Sequence, residues 1–198
     1  MRKSHEERRL EIIQSALKLA AERGTKKVTT QAIAERVGIA QPTIFRHFKT
    51  RDEIFAGAIG WLAENLFRVL DESLAETAPP DERLRHLLQT QLTFVSKHKG
   101  LPRMLFSDRL HLESPVLKKT VRRVMEAYMK RVAQVIQEGI DQGCFNAQLD
   151  ADEGARMVAA AVQGTLVRWS IYDFRFSLKA EIEPLWRFIY AGLQGAQR

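Results

Sequence analysis

Cysteine is almost missing from this 198-residue chain, with Cys144 standing alone. One thiol cannot build an intrachain disulfide framework and has no resolving partner for redox sensing, and this usage fits a reducing compartment. Long apolar runs are missing too, since none approaches the roughly 20 residues that a bilayer-spanning helix needs. The polar start, Met1 to Glu7, is unlike a signal peptide, so a cytoplasmic protein without membrane contact is expected. No strand-like alternation of any length occurs, and the fold class expected is all-α, with about nine helices. Gly-rich phosphate loops, HExxH, GxSxG and clustered cysteines are all absent, which argues against an enzyme. Asp108, His111 and Glu113 lie close in sequence, the first two sharing a helix face. Solvated charge beside a helix end is the better reading, and no metal or other cofactor is expected.

What the chain does have is positive charge, unevenly spread. Its net charge is +7, and residues 1–55 hold 12 Lys/Arg against 7 Asp/Glu, while the remainder holds 19 against 17. A basic N-terminal quarter favours phosphate through counterion release, whatever the base sequence.

Within that quarter, Thr30 to Lys49 reads as a helix-turn-helix. Thr30 offers a hydroxyl N-cap, and Ala32, Ile33, Ala34 and Val37 form an apolar stripe at three- and four-residue spacing. Gly38 breaks the helix, because a tight turn there needs the left-handed conformation, and Ile39 plugs the turn from below. Pro42 is tolerated in the first turn of the second helix, where Ile44, Phe45 and Phe48 face inward. Gln41, Thr43, Arg46 and His47 remain on the outward face, with Lys49 and Arg51 beyond, as a helix entering the DNA major groove requires.

The run of Gly24, Thr29, Thr30, Ile33, Ala34, Gly38, Thr43, Ile44, Phe45, Arg46, His47, Phe48, Arg51 and Ile54 resembles the N-terminal signature of the TetR family of bacterial transcriptional regulators. Three positions depart from that pattern. Ala40 stands where serine often caps the recognition helix, Phe45 where tyrosine is frequent, and Arg51 where lysine is usual. The resemblance implies a helix-turn-helix DNA-binding domain over 1–50 and a helical ligand-binding and dimerisation domain over 51–198.

Around the motif, Ser4 to Arg23 is amphipathic through Leu10, Ile13, Leu17 and Ala20, and Lys3 and Arg8 near its start are possible phosphate contacts. A fourth helix runs from near Thr50 past Leu70, and the resemblance implies that it transmits ligand state to the recognition helices. A fifth covers about Asp81 to His98, a short sixth Arg103 to about Leu112, and a long seventh follows Ser114 and Pro115 to Gly143.

Ala155 to Trp169 is apolar nearly all round, which one chain has trouble covering. With the last helix it reads as a homodimer interface, a four-helix bundle built from Ala155, Ala159, Val162, Leu166, Leu185, Trp186 and Ile189. An intrachain core is the other reading of these residues. A two-fold dimer would read a palindromic operator in double-stranded DNA. Gln41 and Thr43 are the candidates for base edges, Thr30, His47, Lys49 and Arg51 for phosphates, and Arg46 for either.

The resemblance further implies a small-molecule effector held inside the C-terminal domain, between helices five, six, seven and eight. Candidate lining residues are Phe94, Met104, Phe106, Arg109, His111, Tyr128, Arg168, Trp169, Tyr172 and Phe174, most of them ordinary core. Arg168 interrupts an apolar run, so it pairs with an acid, snorkels outward or meets an anionic ligand. The function expected is a repressor that such a ligand releases from DNA. The alternative is a DNA-bound platform whose main task is contacting another protein, as in cell division or chromosome organisation.

Overall fold

The computed structural model describes residues 3–75, 77–107 and 112–195. Arg109 and His111 among the ligand candidates, and Asp108 of the acidic and histidine grouping, lie outside the described residues. Among the described residues the chain forms nine α-helices and no strand: α1 His5–Arg23, α2 Thr30–Val37, α3 Gln41–Ile44, α4 Arg51–Leu74, α5 Pro80–Ser96, α6 Gly100–Leu105, α7 Pro115–Asp141, α8 Ala151–Ile171 and α9 Ile182–Gln194.

Local chemistry accounts for most boundaries. Ser4 opens α1 with a reciprocal cap: its hydroxyl accepts the Glu7 N–H at 3.1 Å, and the Glu7 carboxylate accepts the Ser4 N–H at 2.6 Å. Asp150 caps α8 by accepting the Glu153 N–H at 2.8 Å, so that helix starts four residues before Ala155. The sixth helix differs from the expectation of Arg103 to about Leu112, since α6 begins at Gly100 and ends at Leu105. Proline is tolerated in a first helical turn, where its missing N–H has no partner to lose, so Gly100, Leu101 and Pro102 start a helix instead of separating two.

The helices gather into two compact units that cut the chain differently from a boundary at residue 50. The first comprises residues 1–64 and 98–123, the second residues 65–97 and 124–198. In the first unit Ile12, Leu19, Ile33, Ile44, Ile54, Phe55 and Leu62 are fully buried. Leu10, expected on the inner face of α1, is exposed, because Ile12, Ile13, Ala16 and Ala20 define that face and Leu10 lies off it.

Segment 98–123 joins the first unit through α6. A Cβ on Gly100 would stand 2.4 Å from the Leu17 carbonyl oxygen, so only glycine lets α6 approach α1 this closely. Arg103 donates to the Ala21 carbonyl at 2.8 Å, satisfying the C-terminal end of α1.

The second unit packs α5, α8, α9 and the later part of α7 around Leu84, Leu88, Leu92, Val132, Ile136, Val158 and Ile189. Tyr128 and Gln91 are buried inside it, and the Tyr128 hydroxyl donates to Gln91 Oε1 at 2.7 Å. Burial pushes the Tyr128 phenol far above its usual range, against a smaller opposing effect of that hydrogen bond, so it stays protonated.

Candidate nucleic-acid interface

The interface is assembled from α2, the turn after it, α3 and the start of α4. Thr29, one residue earlier than expected, is the N-cap of α2: its backbone is extended and its hydroxyl accepts the Ala32 N–H at 3.0 Å. Thr30 is already helical, and its hydroxyl accepts Gln41 Nε2 at 2.8 Å, tying α2 to α3 across the turn. Gly38 holds the turn at φ 74° and ψ 38°, and the Ile39 N–H returns to the Ala34 carbonyl at 3.0 Å. Ala40 begins α3 without any side-chain cap, so the Thr43 N–H rests on the Ala40 carbonyl at 2.9 Å.

Helical hydrogen bonding continues past Ile44, with the Phe48 N–H reaching the Ile44 carbonyl at 3.0 Å. Ile44 and Phe48, one turn apart, are buried at 0% and 2% exposure. Phe45, expected to face inward with them, is 50% exposed, because a residue one step along a helix points about 100° away.

Arg46 and Lys49 are exposed, while Thr30, Gln41, Thr43, His47 and Arg51 are half-buried. The Arg51 guanidinium donates to the Thr25 carbonyl and lies 4.9 Å from the Phe55 ring centroid, so this residue ties the loop before α2 to α4. Thr50 caps the α4 start by accepting the Glu53 N–H at 3.1 Å, and Glu53 accepts the Lys49 N–H at 2.8 Å. Lys3 and Arg8 both pair with Glu11 at 2.6 Å.

Two contributors escaped the sequence reading. Arg9 donates to the His47 carbonyl and its guanidinium sits 4.1 Å over the Phe48 ring, while the His5 ring lies 4.4 Å from that of His47. Their signal was available: Arg9 shares helical spacing with Ile12, Ile13 and Ala16, and His5 stands one turn before it. His47 is held below the ordinary imidazole range, first by burial and then by His5, Arg9, Arg8 and Arg46.

The charge bias sharpens on folding. The first unit holds 19 Lys/Arg against 10 Asp/Glu, a net +9, and the second 12 against 14, a net −2. Residues 98–123 bring 7 Lys/Arg against 2 Asp/Glu into the helix-turn-helix unit from far along the chain.

The other candidates fall elsewhere. Met104 and Phe106 belong to the first unit, whereas Phe94, Tyr128, Arg168, Trp169, Tyr172 and Phe174 belong to the second. Trp169 is 3% exposed, donates Nε1 to the Phe176 carbonyl at 2.9 Å and meets Phe174 edge-on at 4.6 Å. Arg168 lies at the surface, paired with Glu181 and 5.1 Å from the Phe176 ring, so it both finds an acid and snorkels outward. Ala155, Ala159, Val162, Leu166, Leu185, Trp186 and Ile189 are each at most 9% exposed within the chain itself. They form the second unit's own core, and α8 and α9 turn a neighbouring stripe to solvent, including Met157, Ala160, Phe188, Ala191 and Gly192.

An all-helical unit of net positive charge that carries a helix-turn-helix, continuous in the chain with a second all-helical unit, is the make-up of a DNA-binding regulator. The family described as "Bacterial regulatory proteins, tetR family" matches residues 12–58, and the one described as "Tetracyclin repressor-like, C-terminal domain" matches residues 77–170. The chain belongs to the TetR family of DNA-binding transcriptional regulators. It is 26% identical to the nucleoid occlusion factor SlmA of Vibrio vulnificus over 188 residues, covering 94% of this chain and 96% of that protein. Its fold matches the fatty acid degradation regulator FadR of Bacillus halodurans with a TM-score of 0.86 at 19% identity, over 98% of this chain and 99% of that one. The regulator FadR of Bacillus subtilis, solved in complex with stearoyl-CoA, matches with a TM-score of 0.82 at 20% identity, over 92% and 98% of the two chains. Among the described residues no helix is long and apolar enough to cross a membrane, and no group of three or more His, Cys, Asp or Glu could hold a metal ion.

Proposed function

We propose that the protein is a homodimeric repressor that reads a palindromic operator and is released from it by a small molecule. The observation that carries the dimer is the solvent face of α8 and α9. There Met157 is 65% and Phe188 75% exposed beside Ala160, Ala161, Ala191 and Gly192, around an open apolar cavity of about 640 Å³. Small residues let a second helix pair approach, and two large apolar side chains supply anchors, which suits a four-helix bundle around a two-fold axis. Two recognition helices so related address half-sites about one helical turn apart, roughly 34–36 Å.

At each half-site Gln41 and Thr43 face base edges, Thr30, His47 and Lys49 face phosphates, Arg46 serves either role, and Arg51, expected on a phosphate, instead braces the motif through Thr25 and Phe55. Gln41 spends one amide N–H on Thr30 and keeps its second N–H and its carbonyl oxygen, the donor and acceptor that a bidentate contact with adenine uses. In this reading the effector binds within the second unit, among Phe94, Tyr128, Trp169 and Tyr172, while Arg168 is engaged by Glu181. Stearoyl-CoA in the Bacillus subtilis regulator makes acyl thioesters the first class to assay. Its effect on DNA is bounded by its difference in affinity for the two conformations.

A second reading is favoured by the similarity to nucleoid occlusion factors across almost the whole chain. In it the protein is a DNA-bound platform for another protein. Selection from a random duplex pool at physiological salt separates the two. An enriched palindrome released by an effector supports repression, a protein partner retained on the DNA-bound chain supports the platform, and the absence of any enriched sequence overturns operator recognition.

A further inference from the structure

The contact between α1 and the recognition turn places two imidazoles together in cationic surroundings. The His5 and His47 ring centroids are 4.4 Å apart with planes tilted by 32°. His47 Nδ1 is buried without a hydrogen-bond partner. Burial acts first on His47, followed by its neighbours His5, Arg9 and Arg8 from α1 and Arg46 from its own turn, and Arg9 also donates to the His47 carbonyl. On α1, Glu6 and Glu7 lie between His5 and Arg8 in sequence, with the Glu7 carboxylate accepting the Ser4 N–H at 2.6 Å, and Glu11 is engaged by Lys3 and Arg8 at 2.6 Å. No carboxylate is among the groups that act on His47.

We propose that His5 is a positioning residue for DNA binding: packed on the His47 ring beside Arg8, Arg9 and Arg46, it sets His47 so that a DNA phosphate docking at this turn is bound with uptake of a proton by His47. The inference rests on the reading of this face as the DNA interface. A phosphate is an anion that the His47 ring itself lacks. It favours the imidazolium by opposing the neighbouring guanidinium groups, and it accepts a charge-assisted N–H bond from the ring.

The sign follows from the direction of the perturbation. His47 in the free protein lies below the ordinary imidazole range, and a phosphate moves it up. Between those two values binding consumes a proton, so affinity rises as pH falls, by at most about tenfold per pH unit. The term is absent above the bound value and saturates below the free one.

The test measures affinity for a mixed-sequence duplex at constant ionic strength between about pH 8 and pH 5, the window in which imidazoles change charge. It is paired with NMR titration of the His47 imidazole with and without duplex. The wild type is expected to gain about tenfold for each unit by which duplex raises the His47 titration. His47→Gln, neutral throughout, is expected to flatten the profile. His5→Ala is expected to raise the His47 titration in the free protein and shrink the slope.

A His47 resonance that titrates at the same pH with and without duplex overturns the inference, as does an unchanged slope in His47→Gln. Absence of salt-sensitive duplex binding by the wild type at every pH overturns the DNA-interface reading itself, and this inference with it.

Discussion

At the residue scale, side chains that look equivalent in a basic stretch divide by what the fold has already asked of them. Arg51 and Arg9 spend their guanidinium groups on carbonyls and aromatic faces, so their substitution disturbs the helix-turn-helix itself. Lys49 and Arg46 are exposed and add charge without holding structure. Lys49→Ala is therefore expected to weaken binding to all duplex sequences and to reduce the slope of log affinity against log salt by about 1. Gln41→Ala is expected to change which base is preferred at one half-site position, at about 1–3 kcal/mol of discrimination, and to leave the salt slope alone. Binding isotherms at several salt concentrations on the selected duplex and single-base variants check both, and identical behaviour of the two variants overturns the division of roles.

At the element scale, the caps of α2 and α3 carry opposite lessons. Thr29 caps α2 with its hydroxyl on the Ala32 N–H, so Thr29→Ala is expected to cost about 1 kcal/mol. Ala40 begins α3 with extended backbone and no side-chain acceptor for the first N–H groups. Ala40→Ser is expected to stabilise by about 0.5–1 kcal/mol, since serine at that conformation accepts an N–H two or three residues on. Urea unfolding of both variants tests the pair.

The motif was legible in the chain because Ala34, Gly38 and Ile44 answer local geometric needs. The cap of α2 was misplaced by one residue because Thr29 and Thr30 are chemically alike and only the backbone angles separate them. The sixth helix was misjudged because proline stops a helix interior but not a first turn, and α6 supplies its own beginning at Gly100.

At the scale of the whole molecule, α8 shows how composition and placement differ. Its nearly continuous apolar circumference announced more cover than one chain readily supplies, yet the residues first assigned to a partner line the unit's own core. The expected interface moves to the next stripe, so Phe188→Glu is expected to give a monomer by sedimentation equilibrium while retaining helical circular dichroism. A variant that sediments like the wild type overturns the α8 and α9 interface. The charge argument scales up in the same way: a +5 quarter of the sequence becomes a +9 unit once residues 98–123 join it, strengthening long-range attraction for DNA without adding base recognition.

The sequence by itself determined the all-helical class, the helix-turn-helix and its family, and the sign and rough place of the charge. Each of these follows from spacing and residue type over a few turns, where the physics is local. Only the tertiary structure decided which face of α8 is buried, that α6 belongs with α1, that Arg51 supports the motif, and that His5 meets His47. Those four facts depend on pairs of residues distant along the chain, and no periodicity within one helix encodes which other helix it will meet.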